Sequence, residues 1–235
     1  MPSLAQRHKR EVAVFVNVCH RLARTMYVTA YGGNLAWKLD ADVILITPTQ
    51  LNKGDVTPKD VVFINRAGAT LEGTRKPTGE KPMYLKFFAE RPDIVSVLHC
   101  HPPHVCALAI MKEHDLLMKP FYPETTTEVG PVPLVPYAEP LTEELARNFT
   151  PLLQKYNAFI MENHGLVIMT RGDIYWTLLM TELLESTAQS ILIAKSAGTL
   201  KPLSLQAVRR LGNVMRTRNL PLFGAPGVHS ALEKI

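Results

Sequence analysis

Ile94-Val95-Ser96-Val97-Leu98-His99-Cys100-His101-Pro102-Pro103 is the stretch from which the architecture unfolds. An apolar run of this length, approached through the turn residues Arg91-Pro92-Asp93 and stopped by two prolines, predicts a strand over 94–101. Side chains alternate faces along a strand, so His99 and His101 share one face and Cys100 takes the other. Two imidazoles at the open end of an apolar strand suit a metal site, although a His-x-His pair alone also fits a structural or surface role.

On the N-terminal side, Val12, Val14, Phe15, Val18, Leu22 and Met26 recur at mostly helical spacing, which predicts a helix over 10–28 ended by Tyr31-Gly32-Gly33. Short runs at 34–39 and 43–47 around Asp40-Ala41-Asp42 read as a hairpin, 61–65 as a third strand and 69–72 as a fourth. A helix over 80–90 then leads into the histidine strand. On the C-terminal side a helix is expected over 104–111, followed at 115–140 by a proline-rich stretch that excludes a long helix and favours short extended pieces over a surface or an edge. Thr142-Glu143-Glu144-Leu145 opens a helix to about 156. Strands at 158–161 and 166–169 bracket Glu162-Asn163-His164-Gly165, and the longest helix covers 173–197, stopped by Gly198. Helices mixed with antiparallel hairpins predict an α/β sandwich around a largely antiparallel sheet.

A third imidazole would complete a catalytic metal site, since such sites commonly use three protein ligands and keep one position open. His164, in a tight turn framed by two apolar strands, is the leading candidate; His104 competes, but Pro102-Pro103 makes so close a return awkward, and a helix start is its simpler role. His8, His20, His114 and His229 have no pattern around them and read as surface residues. Glu80, at a helix entrance after Lys76-Pro77-Thr78-Gly79, is the candidate acid/base group, although an isolated acid there is ordinarily a solvated first-turn residue.

Composition bounds these readings. At 235 residues, 46% apolar and 20% charged, the chain fits a single domain over 1–235 with an ordinary core. The net charge of +5 comes from dispersed residues. Its dense groups, Arg7-His8-Lys9-Arg10 and Arg209, Arg210, Arg216 and Arg218, lack interleaved aromatics, so no nucleic-acid partner is expected. Cys19, Cys100 and Cys106 form no CxxC pair and suit a reducing cytoplasm. No signal peptide is read at the start, and the absence of an uncharged apolar stretch of about 18 residues leaves no expected membrane partner.

Taken together, these segments resemble the class II aldolase/adducin family, the group that includes fuculose-phosphate aldolase. Gly33-Asn34-Leu35-Ala36 resembles the family's glycine–asparagine strand start, and Ile44-Leu45-Ile46-Thr47-Pro48-Thr49-Gln50 its Thr-Pro-Ser/Thr-Gly loop, with 53–62 similar to the segment that follows. Lys76-Pro77-Thr78-Gly79-Glu80 resembles its Pro-Ser-Ser-Glu motif, Arg91-Pro92-Asp93 with His99-Cys100-His101-Pro102-Pro103 its metal strand, and Glu162-Asn163-His164-Gly165 its last metal-ligand motif.

The resemblance implies an αβα sandwich, a homotetramer with active sites between subunits, and a small-molecule substrate. It makes His99, His101 and His164 the ligands of Zn2+, with Mn2+ or Co2+ also suited to imidazoles, and Glu80 the catalytic acid/base. Asn34, Thr49 and Thr78 fall where the family's sugar-phosphate members bind a substrate phosphate, with Gly33, Gln50 and Gly79 beside them as substrate-binding positions, and Val135-Pro136-Tyr137 resembles the segment that supplies a catalytic tyrosine to a neighbouring site. Gln50 stands where a glycine is usual and Gly79 where a second serine is usual, which weakens the phosphate pattern. The implied activity is reversible aldol cleavage through a metal-stabilised enediolate; decarboxylation of a hydroxylated acid is the alternative, and an adducin-like assembly domain a third.

Overall fold

A computed structural model describes residues 2–219; His229 lies outside the described residues. The chain runs α1 (Leu4–Arg7), α2 (Lys9–Arg24), β1 (Asn34–Lys38), β2 (Ile44–Ile46), β3 (Val62–Ile64), β4 (Thr70–Glu72), α3 (Lys81–Glu90), β5 (Ser96–Cys100), α4 (Pro103–Ala109), α5 (Pro123–Glu128), β6 (Leu134–Val135), α6 (Glu143–Asn148), β7 (Ala158–Met161), β8 (Gly165–Thr170), α7 (Ile174–Ala197) and α8 (Leu205–Thr217). The strands form one eight-stranded sheet in the order β4-β3-β2-β1-β5-β8-β7-β6. Every pairing is antiparallel except β6 with β7.

Alternation along the strands builds two cores. Leu35, Trp37, Leu45, Phe63, Leu98, Cys100, Leu166 and Ile168 face α2, α4 and α7. Ala36, Ile44, Ile46, Val62, Val97, Val167 and Met169 face α3 and α6 on the other side. Helices on both faces of a largely antiparallel sheet are the αβα sandwich expected. The central strands β1, β5 and β8 are buried almost throughout, so they read as continuous apolar runs.

The predicted elements shift where backbone chemistry intervenes. The first helix ends at Arg24, before Met26 takes a left-handed φ of 59°. The helix expected to reach 156 stops at Asn148 and continues as turns, because Pro151 lacks the N–H that a helix needs. Its apolar spacing still works: Phe149 packs edge-on against Phe87 at 4.9 Å and Phe159 at 5.2 Å, and Leu153 is fully buried. Between 115 and 140 Lys119 and Tyr122 are extended and Leu134–Val135 forms the one strand, at the sheet edge with Pro133 and Pro136 on either side; Pro123 instead occupies the first position of α5, where a missing N–H costs nothing. Helix α8, capped by the Ser204 side chain, is an addition to the sequence reading.

Two histidines read as surface residues are half-buried. His20 Nε2 lies 2.7 Å from the Val56 carbonyl, and His8 leans on the ring of Phe63. Cys19, Cys100 and Cys106 are free thiols. No helix among the described residues is long and apolar enough to cross a membrane.

Candidate metal centre

Strand β5 delivers His99 to the face covered by α3, two positions after Val97. Its Nδ1 lies 2.9 Å from the carbonyl of Leu166 on β8. A carbonyl can only accept, so Nδ1 is the donor and Nε2 is the ring nitrogen left to face the cluster. His101 sits one residue beyond the strand, with its backbone N–H donated to Tyr27, and its Nε2 comes to 3.2 Å from His99 Nε2. The turn between β7 and β8 supplies His164, held by a left-handed Asn163 at φ 53° and a backbone bond from His164 to Met161. Ring centroids of His164 stand 4.8 Å from His99 and 5.4 Å from His101.

Two glycines make room for this triangle. A Cβ at Gly165 would lie 2.5 Å from His101 Cδ2, and one at Gly32 would lie 2.9 Å from His101 Cε1. The His101 ring is therefore clamped between two bare backbones. Candidate ligand atoms of the three imidazoles all lie within 4.8 Å of one another.

Electrostatics separates a binding site from a packed cluster. His101 is pushed down to about 3 by burial, with His99, His164 and the Lys53 ammonium adding to the effect. Burial lowers His164 to about 4, helped by His99 and opposed by Glu80. Both imidazoles are therefore neutral at ordinary pH, the form that donates a lone pair to a metal. His164 Nδ1 is buried without a hydrogen-bond partner. A buried nitrogen with no partner, beside two Nε2 atoms facing each other, fits a divalent cation and fits poorly with a purely structural role.

Glu80 precedes α3 as its N-cap residue, yet its side chain makes no capping bond. The carboxylate turns inward, is buried, and accepts from Asn34 Nδ2 at 2.8 Å, with Oε2 3.7 Å from His99 Nε2. The bland alternative of a solvated first-turn acid is thus not what the fold does with it.

The remaining candidates divide. Asn34 at the start of β1 joins Glu80 directly. Thr49 and Thr78 lie on loops joined by the Pro48–Pro77 bridge, with Thr49 N–H donated to Lys76 and Thr78 N–H to Thr47. Thr78 Oγ1 accepts from the Glu80 N–H at 3.3 Å. Gly33 has φ 67°, and a Cβ there would strike Val28. Gln50 keeps a left-handed φ of 54° although it is not glycine. A Cβ on Gly79 would lie 3.0 Å from Leu141 Cδ2, the tip of an exposed side chain. Tyr137 is not drawn into the cluster: its ring is 52% exposed, and its backbone N–H donates to Glu162. His104 is likewise excluded as a ligand, since its Nδ1 and N–H both engage Glu185.

Two residues near the centre were absent from the sequence reading. Lys53 is 1% exposed, and its ammonium donates to the carbonyls of Tyr31 at 3.2 Å and Leu51 at 3.0 Å, tying the two loops that lead to Asn34 and away from Thr49. Tyr84 is fully buried against Asn34. Four-residue spacing from Glu80 on a helix was the only sequence signal for Tyr84.

Comparison with known proteins follows this geometry. The model of the Class II Aldolase and Adducin N-terminal domain matches residues 13–192. The 3-oxo-tetronate 4-phosphate decarboxylase of Pectobacterium atrosepticum is 31% identical over 71% of this chain and 77% of its own length. The L-fuculose phosphate aldolase of Methanococcus maripaludis is 31% identical over 76% of this chain and 94% of its own. The crystal structure of YgbL from Klebsiella pneumoniae superposes with a TM-score of 0.80 at 26% identity, covering 87% of this chain and 98% of that one.

Proposed function

The chain belongs to the class II aldolase and adducin family, a lyase scaffold that brings dependence on a divalent metal, and from that premise we propose a phosphorylated ketone or keto acid as its substrate and His99, His101 and His164 as its metal ligands. The observation that carries this reading is the convergence of three imidazoles, one with an unpartnered buried nitrogen, beside the inward carboxylate of Glu80. Zinc is the first choice, with manganese or cobalt compatible with the same donors. When bound, the cation supplies an electrophile that polarises a substrate carbonyl and stabilises negative charge on its oxygen.

The protein groups account for the rest. Glu80 moves the proton on the carbon next to the carbonyl. Asn34, Thr49 and Thr78, with the backbone at Gly33, Gln50 and Gly79, face the substrate's anionic end, and the Lys53 ammonium beneath them adds favourable charge. In the condensation direction Tyr137 protonates the aldehyde oxygen of a neighbouring subunit's reaction. Its exposed ring, with exposed Tyr31 and Leu141, supports a homotetramer whose sites lie between subunits. Free thiols suit a cytoplasmic setting, and one domain over 1–235 suffices.

Two reactions fit, and they share a fragment. Breaking the bond next to the ketone's hydroxylated carbon in a ketose 1-phosphate leaves the enediolate of dihydroxyacetone phosphate and an aldehyde. Loss of carbon dioxide from a 3-oxo acid 4-phosphate leaves the same enediolate. Aldol cleavage is the first reading. Decarboxylation is the second reading, supported by the 31% identity to a 3-oxo-tetronate 4-phosphate decarboxylase.

Solvent deuterium incorporation into dihydroxyacetone phosphate, followed by NMR, tests the shared step. The metal-loaded protein should exchange one carbon-bound hydrogen, chelated protein should not, and Glu80→Gln should keep its metal while losing exchange by about 100-fold or more. L-Fuculose 1-phosphate and 3-oxo-tetronate 4-phosphate, offered separately, then assign the overall reaction. Absence of exchange and of turnover with either compound in metal-loaded protein would overturn the reading.

A further inference from the structure

The buried hydroxyl of Tyr84 lies 2.7 Å from the Asn34 carbonyl and 2.5 Å from Asn34 Oδ1. Both acceptors belong to one residue, and the phenol has a single proton, so Tyr84 acts on Asn34 as a donor whichever oxygen receives it. Burial, reinforced by the Glu80 charge, raises Tyr84 well above the ordinary phenol range and keeps that proton in place. With Oδ1 turned to Tyr84, the amide must turn its NH2 the other way, and Nδ2 indeed donates to Glu80 Oε2 at 2.8 Å. A flipped amide would set Oδ1 against the carboxylate, two acceptors without a proton between them.

The geometry points to a further role: Tyr84 is a positioning residue that fixes the orientation of the Asn34 amide, and through it holds the Glu80 carboxylate at the histidine cluster. The chain of contacts is short and continuous. Tyr84 and Glu80 are one turn apart at the start of α3, Asn34 opens β1, and β1 pairs with β5 so that Asn34 stands opposite His99. Glu80 Oε2, the oxygen bound to Asn34, is also the one 3.7 Å from His99 Nε2. Asn34 Nδ2 has a second N–H, so one amide serves the acid/base group and retains a donor for an anionic substrate group. Binding at Asn34 and proton transfer at Glu80 are thereby joined through a group whose orientation Tyr84 sets.

This inference rests on Glu80 being the acid/base group, and the experiment separates the two. Full-length, metal-loaded Tyr84→Phe protein is compared with wild type for metal content, KM and the maximal rate of deuterium exchange into dihydroxyacetone phosphate. Loss of the orienting donor should leave metal content unchanged, lower the maximal exchange rate by about 10-fold and keep the KM within about twofold. Asn34→Ala should lower the rate at least as far and also raise the KM, and Tyr84→Phe added to it should produce no further loss. Should Tyr84→Phe fold poorly, Tyr84→Met removes the same hydroxyl from a more adaptable side chain and is read in the same way. A wild-type maximal rate in the variant without the hydroxyl overturns the role of Tyr84, whereas a Glu80→Gln variant with normal exchange overturns the reading of Glu80 beneath it.

Discussion

At the start of β5 the guanidinium of Arg91 is 1% exposed and fully engaged: Nε and Nη2 bind the two oxygens of Asp93 at 2.8 and 2.9 Å, Nη1 donates to the carbonyls of Leu153 and Tyr156, and Nη2 also reaches Asn157. At the far end of the same strand three imidazoles meet, with His164 Nδ1 buried and unpartnered and the Nε2 atoms of His99 and His101 3.2 Å apart. Both clusters are polar groups set into the fold at opposite ends of one strand. Satisfaction of donors and acceptors separates them. The arginine end is satisfied and ties the end of α3 to the turns before β7; the histidine end keeps an unpartnered nitrogen, the feature on which the proposed cation site rests.

The largest test of this contrast is Arg91→Ala. It removes the guanidinium from two carbonyls and from Asp93, so urea unfolding should show a loss of about 3–5 kcal/mol, while the folded fraction binds metal as before. A fall in metal affinity matching the fall in stability would show that the two ends are not independent. His164→Ala should do the reverse. Metal affinity, measured by titration against a competing chelator, should fall on the order of 100-fold, since loss of even an outer partner of a ligand costs 10–100-fold. The metal-free protein should change by less than about 1 kcal/mol, because His164 Nδ1 has no bond to lose.

Next in size is a pH effect on chelated protein. His101 and His164 are depressed in the folded chain to about 3 and about 4, so they stay neutral while the unfolded chain takes up protons below about pH 6.5. Stability is therefore present above that pH and is lost as pH falls towards the folded values. Between pH 6.5 and 5.5 the loss should be about 1 kcal/mol for His101 and less for the more exposed His164, whose shift is partly screened. Replacing both by alanine should flatten this part of the curve; an unchanged slope would assign it to other groups. Smallest is Gln50→Gly. Relief of a left-handed residue is worth about 1–2 kcal/mol, against roughly 0.4–1 kcal/mol from a more flexible unfolded chain, so a net gain near 0.5 kcal/mol is expected with metal affinity unchanged.

Local pattern made the histidine end legible. Strand alternation placed His99 with His101, a turn presented His164, and a helix entrance marked Glu80, because each signal lies within a few residues. The Tyr84–Asn34 bond spans 50 positions and the Lys53–Tyr31 bond 22, with no periodicity to announce them. The fold was legible for the same reason the strands were: hydrophobic alternation survives tertiary packing. It failed where one residue outweighed the pattern, as Pro151 did in ending α6 early. Helix α8 carried a readable cap in Ser204 and apolar residues Leu205, Val208, Leu211 and Met215 at helical spacing, but its arginines drew the eye to charge instead.

The short outer strands of the sheet also limit how copies of this chain can meet. At one border β6 offers two residues between prolines that cannot donate to a new strand, and at the other β4 offers three. Such short borders give a second copy little strand to extend. In the proposed oligomer the contacts would therefore fall on loops and helices, surfaces on which a side chain such as Tyr137 can be offered to a neighbour.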